Sequence, residues 1–303
     1  MNAAPVLVGY TAAVGFVAPP LLLRAAWPHR APALAAAVWH ALLVSFSIGV
    51  ALAAYNLAAP TEHLHAGLVG LLHSCGLHVG PGGPDPDTAD RLAVALPVAL
   101  GTALAASLAF HVVRARRART RHREAVDLVG RHSARLRATV LPYGVPAAYC
   151  LPGRRARIVI SDAAIRELTP EQLAAVLAHE RGHIAGRHHL ALAVAEAFHS
   201  VFRRLPLARH AREQTALLLE MVADDRALRR HSSAALATAM YEMAAARTPR
   251  GAFAAGGHTV LIRLQRVLGP RPAPHPAFWG SVAAVAVAVP LLPLLVACPP
   301  VLG

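Results

Sequence analysis

The chain has 303 residues, of which 55% are hydrophobic and only 15% are charged. An average soluble domain has about 45–50% apolar and about 25% charged residues, so part of this chain is expected to lie in lipid. All 30 basic residues are Arg, and together with 16 acidic residues they give a net charge of +14. The high hydrophobicity excludes a disordered chain, and three Cys exclude a disulfide-rich scaffold.

Four apolar stretches are long enough to cross a membrane as helices. They lie at about residues 5–23, 33–59, 92–113 and 277–298. A helix needs about 20 residues to cross about 30 Å of hydrocarbon. No positively charged region precedes the first stretch, as it would in a secretory signal, so we expect this span to be retained. The sequence therefore predicts an α-helical integral membrane protein with four spans.

The placement of Arg predicts the orientation of these spans, because short loops rich in Arg stay in the cytoplasm. Six Arg lie within residues 114–123, directly after the third span, whereas the loop 60–90 has no Arg and four acidic residues. We therefore expect residues 1–113 to form three spans with this loop outside. Residues 114–276 then form a cytoplasmic domain, and residues 277–303 form the fourth span with a short outer tail. The expected location is the inner (plasma) membrane.

The predicted cytoplasmic domain carries 27 Arg against 12 acidic residues. Such an excess is also found in nucleic-acid-binding proteins, but neither interleaved aromatic residues nor a DNA-binding motif accompanies it here. An anionic inner leaflet attracts the same charge. We therefore expect the lipid bilayer as its partner, and no nucleic acid.

The pattern within this domain is mixed α+β. Residues 149–153, Tyr-Cys-Leu-Pro-Gly, indicate a turn, and residues 157–160, Arg-Ile-Val-Ile, indicate a short strand. If this strand lies at a sheet edge, it can align an extended peptide by β-addition. Helical runs follow it, so we expect a mainly helical α+β domain.

A strong helix-start signal precedes the segment that contains the candidate site residues. Thr169 is a typical N-cap, with Pro170 at the first helical position. On this helix His179 and His183 are four residues apart, so their imidazoles leave the same face and can share one Zn²⁺. Glu180 is rotated by about 100° from His179, which places it beside the metal as a general base. These residues form an HExxH motif.

A catalytic zinc needs a third protein ligand and one open position, and two residues are candidates for the ligand. His189 fits the longer HExxHxxGxxH spacing, with Gly186 at the turn. Glu220 lies on a later helical segment, four residues before Asp224, which can accept a hydrogen bond from a ligating His. The run after Gly186 favours a helix and shows no turn toward the metal. This favours Glu220, with His188 and His189 facing solvent or headgroups.

The whole arrangement resembles the membrane zinc peptidases of the BlaR/MecR type. Three spans are followed by His-Glu-x-x-His, then after 36 residues by Glu-x-x-Ala-Asp, and then by a fourth span. More distantly, the chain is similar to the HtpX-type membrane endopeptidases, which share both motifs. Because the sequence stops five residues past the fourth span, we expect a short form without the extracellular sensor domain of the BlaR/MecR type.

The resemblance implies a gluzincin-like zinc endopeptidase at the inner face of the membrane. His179, His183 and Glu220 would be the zinc ligands, Glu180 the general base, and Asp224 the hydrogen-bond partner of a ligand. A cytoplasmic repressor is one protein substrate that the resemblance implies, which would give the chain a role in regulatory or signalling proteolysis.

Two other functional classes are the alternatives to a peptidase: a non-enzymatic signalling scaffold and a metal-handling membrane protein. Cys75 and Cys298 share the outer, oxidising side and are able to pair there, although two unpaired thiols are the stronger expectation. Cys150 lies inside and is expected to stay reduced.

Overall fold

A computed structural model describes the chain over residues 3–58, 88–153, 155–246, 257–270 and 276–297. Most of the predicted outer loop 60–90 lies outside these residues, and so do Cys75 and Cys298. Their location on the outer side and the expectation of two unpaired thiols therefore stay predictions.

Five helices make up the N-terminal part of the described chain. Their bounds are α1 Ala4–Ala12, α2 Ala18–Arg24, α3 Trp27–Arg30, α4 Pro32–Ala58 and α5 Thr88–Val129. A π-helical turn, Ala13–Val17, joins α1 to α2.

A four-stranded sheet follows α5. Its strands are β1 Arg131–Ser133, β2 Ala138–Leu141, β3 Ala148–Leu151 and β4 Arg157–Ser161. The strand order is β1-β2-β4-β3, with β2 and β4 parallel and the other two pairs antiparallel.

The remaining helices follow the sheet. They are α6 Asp162–Glu167, α7 Pro170–Ala185, α8 His188–Val201, α9 Pro206–Ala227, α10 Ser233–Ala245, α11 Gly257–Leu268, α12 Pro276–Ala288 and α13 Leu292–Ala297. A 3₁₀ turn, Val289–Leu291, joins the last two.

Four helices of the described chain are long and apolar enough to cross a membrane. They are Ala4–Arg24, Pro32–Ala58, Arg91–Val129 and Ala277–Ala297. The four predicted apolar helices are therefore confirmed as helices. The predicted third span ends near residue 113, and helix α5 continues beyond it to Val129. Arg and Ala are strong helix formers, so nothing stops the helix before Gly130.

The sheet corrects two of the sequence predictions. Residues 149–153 do not form a turn, because β3 occupies most of this range and pairs antiparallel with β4. The Pro-Gly signal only ends the strand, at Gly153 with φ +137°. The second correction concerns β4, which lies between β2 and β3. It is not an edge strand, and within the described sheet the edge on this side is β3.

Two hydrophobic cores position the helices around the predicted site. In the first, Trp39 and Phe46 of α4 pack with Leu218 and Met221 of α9 and with Phe198 of α8. The rings of Phe46 and Phe198 meet edge to face, with centroids 5.9 Å apart. Helix α9, which carries Glu220 and Asp224, therefore packs against α4, the second apolar helix.

The second core joins α7 to the sheet. Ile160 at the centre of the sheet packs with Val176 and Leu177 of α7, and all three are buried. This contact fixes the helix that carries the two His against β4, next to the edge strand β3.

Candidate metal centre

Helix α7 begins with the predicted cap. The Thr169 hydroxyl accepts a hydrogen bond from the Gln172 N–H, and the Gln172 side chain accepts one from the Thr169 N–H, which forms a capping box. One turn separates His179 from His183, and their ring centroids lie 4.8 Å apart. Both imidazoles therefore leave the same face of α7.

A close crossing of α7 and α9 brings the acidic motif to these His. It occurs at Gly182, where an added Cβ would lie 3.2 Å from Cα and 3.4 Å from Cβ of Ala223. A glycine suits this position because any Cβ would push the two helix backbones apart by a few tenths of an ångström. Ala223 follows Glu220 by three residues, so the crossing presents the Glu220 carboxylate to the two imidazoles.

Three ligand atoms converge at this crossing. His179 Nε2 and His183 Nε2 are 3.1 Å apart, and they lie 3.5 Å and 3.3 Å from the two carboxylate oxygens of Glu220. A tetrahedral zinc with bonds of about 2.0–2.1 Å separates its ligands by about 3.3 Å. The three side chains therefore fit one Zn²⁺. Within the part of the chain that the structure describes, His179, His183 and Glu220 are the one group with this arrangement.

Asp224 lies behind the cluster and is fully buried. Its Oδ1 is 2.9 Å from His179 Nδ1, so the carboxylate favours a proton on Nδ1, and Nε2 is the ring nitrogen that faces Glu220 and His183. Burial opposes a charge on His179, but Asp224 and Glu220 outweigh it and raise the pKa of His179 to about 9. Carboxylates that attract a proton so strongly also favour a divalent cation.

Arg263 of α11 contacts both carboxylates. Its Nε and Nη2 donate to Asp224 at 2.8 and 2.7 Å, and its Nη1 lies 2.7 Å from Glu220 Oε2. Despite the cost of burial, hydrogen bonds and charge from Arg263 hold the pKa of Asp224 at about 2. Arg263 therefore fixes both acidic side chains in their ionised forms. The sequence analysis missed this residue, whose only signal is an Arg within an apolar helical run.

A second Arg of the same helix ties it to the N-terminal helices. Arg266 donates to Asp225 at 2.8 Å and to the backbone carbonyl of His29 at 2.6 Å. His29 lies on α3, in the connection between the first two apolar helices. Helix α11 thus contacts the acidic residues of α9 through both Arg263 and Arg266, and it contacts the connection between the first two apolar helices through Arg266.

The prediction that His188 faces solvent or headgroups is wrong. His188 does not face solvent, because its ring is buried with its Nδ1 2.9 Å from Nδ1 of His183. Helix α7 ends at Ala185, Arg187 adopts the left-handed conformation with φ +49°, and α8 starts at His188. This sharp break turns the ring back onto His183. Burial and the nearby His183 lower the pKa of His188 to about 4, so it stays neutral and can orient that imidazole.

Glu180 leaves α7 toward the sheet. Its carboxyl group lies near the thiol of Cys150 on β3, and burial raises the pKa of Glu180. For Cys150, burial and the charge of Glu180 together raise the pKa to about 12. The edge strand β3 therefore runs past the residue that the HExxH motif makes the general base.

The structure thus brings His179, His183, Glu180, Glu220 and Asp224 together, as the favoured reading of the sequence expected. His189 does not join the group of potential ligands. Arg263, His188 and Cys150 complete the surroundings of the cluster, and the sequence analysis gave none of them this place.

Residues 113–254 match the family model described as Peptidase family M48. This part of the chain is therefore similar to the M48 peptidases, which are zinc metallopeptidases, and it includes His179, Glu180, His183 and Glu220. The match supports the family but points neither to the BlaR/MecR type nor to the HtpX type. No significant match was found among curated proteins or solved structures.

Proposed function

We propose that the protein is a membrane-anchored, zinc-dependent endopeptidase that cleaves protein substrates at the cytoplasmic face of the plasma membrane. The observation that carries this proposal is the convergence of His179, His183 and Glu220 at distances suited to zinc, with Glu180 beside them. The M48 match over residues 113–254 supports the same chemistry.

In this proposal His179, His183 and Glu220 hold the zinc, and Asp224 and Arg263 orient His179 and Glu220 from behind. Zinc bound there would polarise the scissile carbonyl and acidify the attacking water. Glu180 takes the proton of this water and then passes it to the leaving amine. A buried carboxyl group with a raised pKa is suited to this exchange, because burial makes its carboxylate a stronger base toward the proton of the water.

We further propose that the substrate binds as an extended strand along β3. Support comes from the position of β3 at the edge of the described sheet and from the contact of Cys150 with Glu180. A peptide added to this edge would pass directly beside the general base. Strand β4, considered from the sequence, is not available for such pairing because β2 and β3 flank it.

The membrane part of the proposal rests on the four apolar helices and on the Arg-rich end of α5. Short Arg-rich segments stay on the cytoplasmic side, which would place the M48 domain there. A substrate near this face, such as a membrane-bound or repressor protein, follows from the resemblance, and a role in regulatory proteolysis would follow from such a substrate.

A comparison of the wild type with Glu180→Gln tests the proposed activity. The purified full-length protein in detergent should cleave an unfolded protein such as casein, lose this activity with a chelator, and regain it with Zn²⁺. Glu180→Gln should bind zinc normally but lose at least about a hundredfold in cleavage rate, since general base catalysis contributes about 10²–10⁴-fold. Exposed Glu167 provides the matched control Glu167→Gln.

Protein fragments from cells that express the wild type or Glu180→Gln would then identify the substrate. Fragments that arise only with the wild type are candidate products. A Glu180→Gln protein with full activity would overturn the proposal and leave the signalling scaffold or the metal-handling protein as the better description.

A further inference from the structure

One face of α5 forms an open groove that the proposed mechanism does not use. Its volume is about 650 Å³, and its described lining comes from α5 alone, including Ala106, Phe110, Val113, Arg114 and Arg117. These residues are exposed, with 60% of Phe110 and 43% of Val113 accessible.

The groove lies beside the face through which α5 contacts the rest of the protein. That contact face is marked by Ser107, which donates to the carbonyl of Ala197, and by His111, whose Nε2 is 2.7 Å from the Ser200 hydroxyl. At about 100° per residue, the groove residues are centred roughly a third of a turn away from Ser107 and His111. The described lining of the groove therefore faces away from the contacts that α5 makes with α8.

Its two ends differ sharply in chemistry. The first end has small and apolar side chains, among them Ala106 and Ala109, which let a hydrocarbon chain approach the helix closely. The second end has three Arg on the same face, Arg114, Arg117 and Arg121. None of these three Arg makes an ion pair with any residue that the structure describes.

The change from apolar to cationic occurs where the proposed membrane ends. Between Arg91 and Arg114 lie 22 uncharged residues, about 33 Å of helix, which matches the thickness of the hydrocarbon core. Arg114 and the next two turns would therefore lie at the level of the headgroups. Guanidinium groups bind phosphate oxygens through paired hydrogen bonds, so three of them on one face suit a phosphodiester.

We propose that this groove binds one anionic phospholipid, with an acyl chain along Ala106 to Val113 and its phosphate at Arg114, Arg117 and Arg121. The proposal rests on the membrane part of the proposed function. It gives the positive charge of α5 a defined ligand in addition to a general attraction to the membrane.

Native mass spectrometry of the delipidated full-length protein tests the site. With equal amounts of phosphatidylglycerol and phosphatidylcholine added, the wild type should retain one phosphatidylglycerol in preference. Arg114→Gln/Arg117→Gln/Arg121→Gln should weaken this binding at least about tenfold, because each cation near a headgroup contributes to it. The charge-matched control Arg135→Gln/Arg229→Gln/Arg230→Gln removes three exposed Arg elsewhere and should bind as the wild type does.

A second variant distinguishes lipid binding in the groove from attraction by net charge alone. Ala106→Phe/Ala109→Phe fills the apolar end and keeps every Arg, and it should also weaken phosphatidylglycerol binding about tenfold. Unchanged binding in this variant, or equal losses in the two triple variants, would overturn the proposal in favour of unspecific attraction. Displacement of the lipid by inorganic phosphate at ~10 mM, a large excess over the lipid, would overturn it as well, since phosphate has no acyl chain.

Membrane fractionation and casein cleavage of the same variants separate this proposal from the one on which it rests. If the protein is membrane-embedded and active but shows no lipid preference, the lipid site is wrong and the proposed function stands. A protein that is found outside the membrane would contradict the membrane part of the proposed function itself.

Discussion

Arg263 and Asp224 form a two-point ion pair directly behind the predicted metal ligands, with N–O distances of 2.8 and 2.7 Å. Asp224 is fully buried, and the side chain of Arg263 is only 13% exposed. A third contact joins the same guanidinium to Glu220 at 2.7 Å. One cation of α11 therefore holds Glu220 and Asp224 of α9 in place.

We expect Arg263→Gln to damage both stability and zinc binding. Removal of one partner of a buried ion pair costs about 3–5 kcal/mol, because the other charge remains buried without compensation. Zinc affinity should also fall about 10–100-fold, as is typical when a group that supports a ligand is lost. Denaturant unfolding in detergent and bound-zinc analysis measure the two effects. Exposed Arg230 gives the control Arg230→Gln, and wild-type stability and zinc content in Arg263→Gln would contradict the role of this ion pair.

Local signals account for the parts of the site that the sequence could predict. Thr169 and Gln172 define the start of α7, and helical spacing puts His179 and His183 on one face. The helical spacing of Glu220 and Asp224 favours Glu220, whereas the expectation of an unbroken helix past Gly186 is wrong, because α7 ends at Ala185 and Arg187 is left-handed. These inferences need only the geometry of one helix at a time.

The parts that could not be predicted depend on contacts between distant segments. Arg263 reaches Asp224 only because α11 packs against α9, which no pattern within either helix indicates. His188 is turned inward by a left-handed residue, Arg187, and Arg rarely signals that conformation. Strand β3 exists because β4 pairs with it, and this pairing overrides the local preference for a turn.

Gly182 should not tolerate a side chain. A Cβ at this position would lie 3.2 Å from the Ala223 backbone, so α7 and α9 would have to separate and move Glu220 away from the two His. Overpacking of this kind costs about 1–3 kcal/mol, which exceeds the gain of up to about 1 kcal/mol from Ala in a helix. We expect Gly182→Ala to lower stability and zinc content together.

A second helical glycine provides the control for this substitution. Gly101 in α5 has no atom within 4 Å of an added Cβ, so Gly101→Ala should be neutral or slightly stabilising. Denaturant unfolding and zinc analysis of both variants give the comparison. If Gly182→Ala were as stable and zinc-replete as Gly101→Ala, the close helix crossing would not be what positions Glu220.

Cys150 should react very slowly with alkylating reagents in the folded protein. With a pKa of about 12, its thiolate fraction at pH 8 is on the order of a thousandfold below that of an ordinary thiol. In a Cys75→Ser/Cys298→Ser background, iodoacetamide modification followed by mass spectrometry measures Cys150 alone. Glu180→Gln removes a nearby negative charge and should speed the reaction, whereas Glu167→Gln should not. Rapid modification with Glu180 intact would contradict the thiol–carboxyl contact.

The orientation of the apolar helices can be tested with a fluorescent protein that folds only in the cytoplasm. Because the Arg-rich end of α5 is expected inside, a fusion after residue 130 should be bright. A fusion to Gly303 should give little signal, since one more span would place it outside. Bright fluorescence from the Gly303 fusion, with the protein still in the membrane, would rule out the four-span orientation.

The last prediction concerns the third ligand, which determines the class of peptidase. Glu220 lies within 3.5 Å of His179 Nε2 and 3.3 Å of His183 Nε2, whereas His189 is absent from this group of potential ligands. Glu220→Ala leaves two protein ligands, so zinc binding and cleavage should both collapse, while His189→Ala should stay near the wild type. Asp224→Ala should lie between them, with a loss of about 10–100-fold, because it removes the partner of His179 and Arg263 but no zinc ligand. Bound zinc and casein cleavage of the three variants decide the order, and an active, zinc-replete Glu220→Ala protein would reassign the ligand.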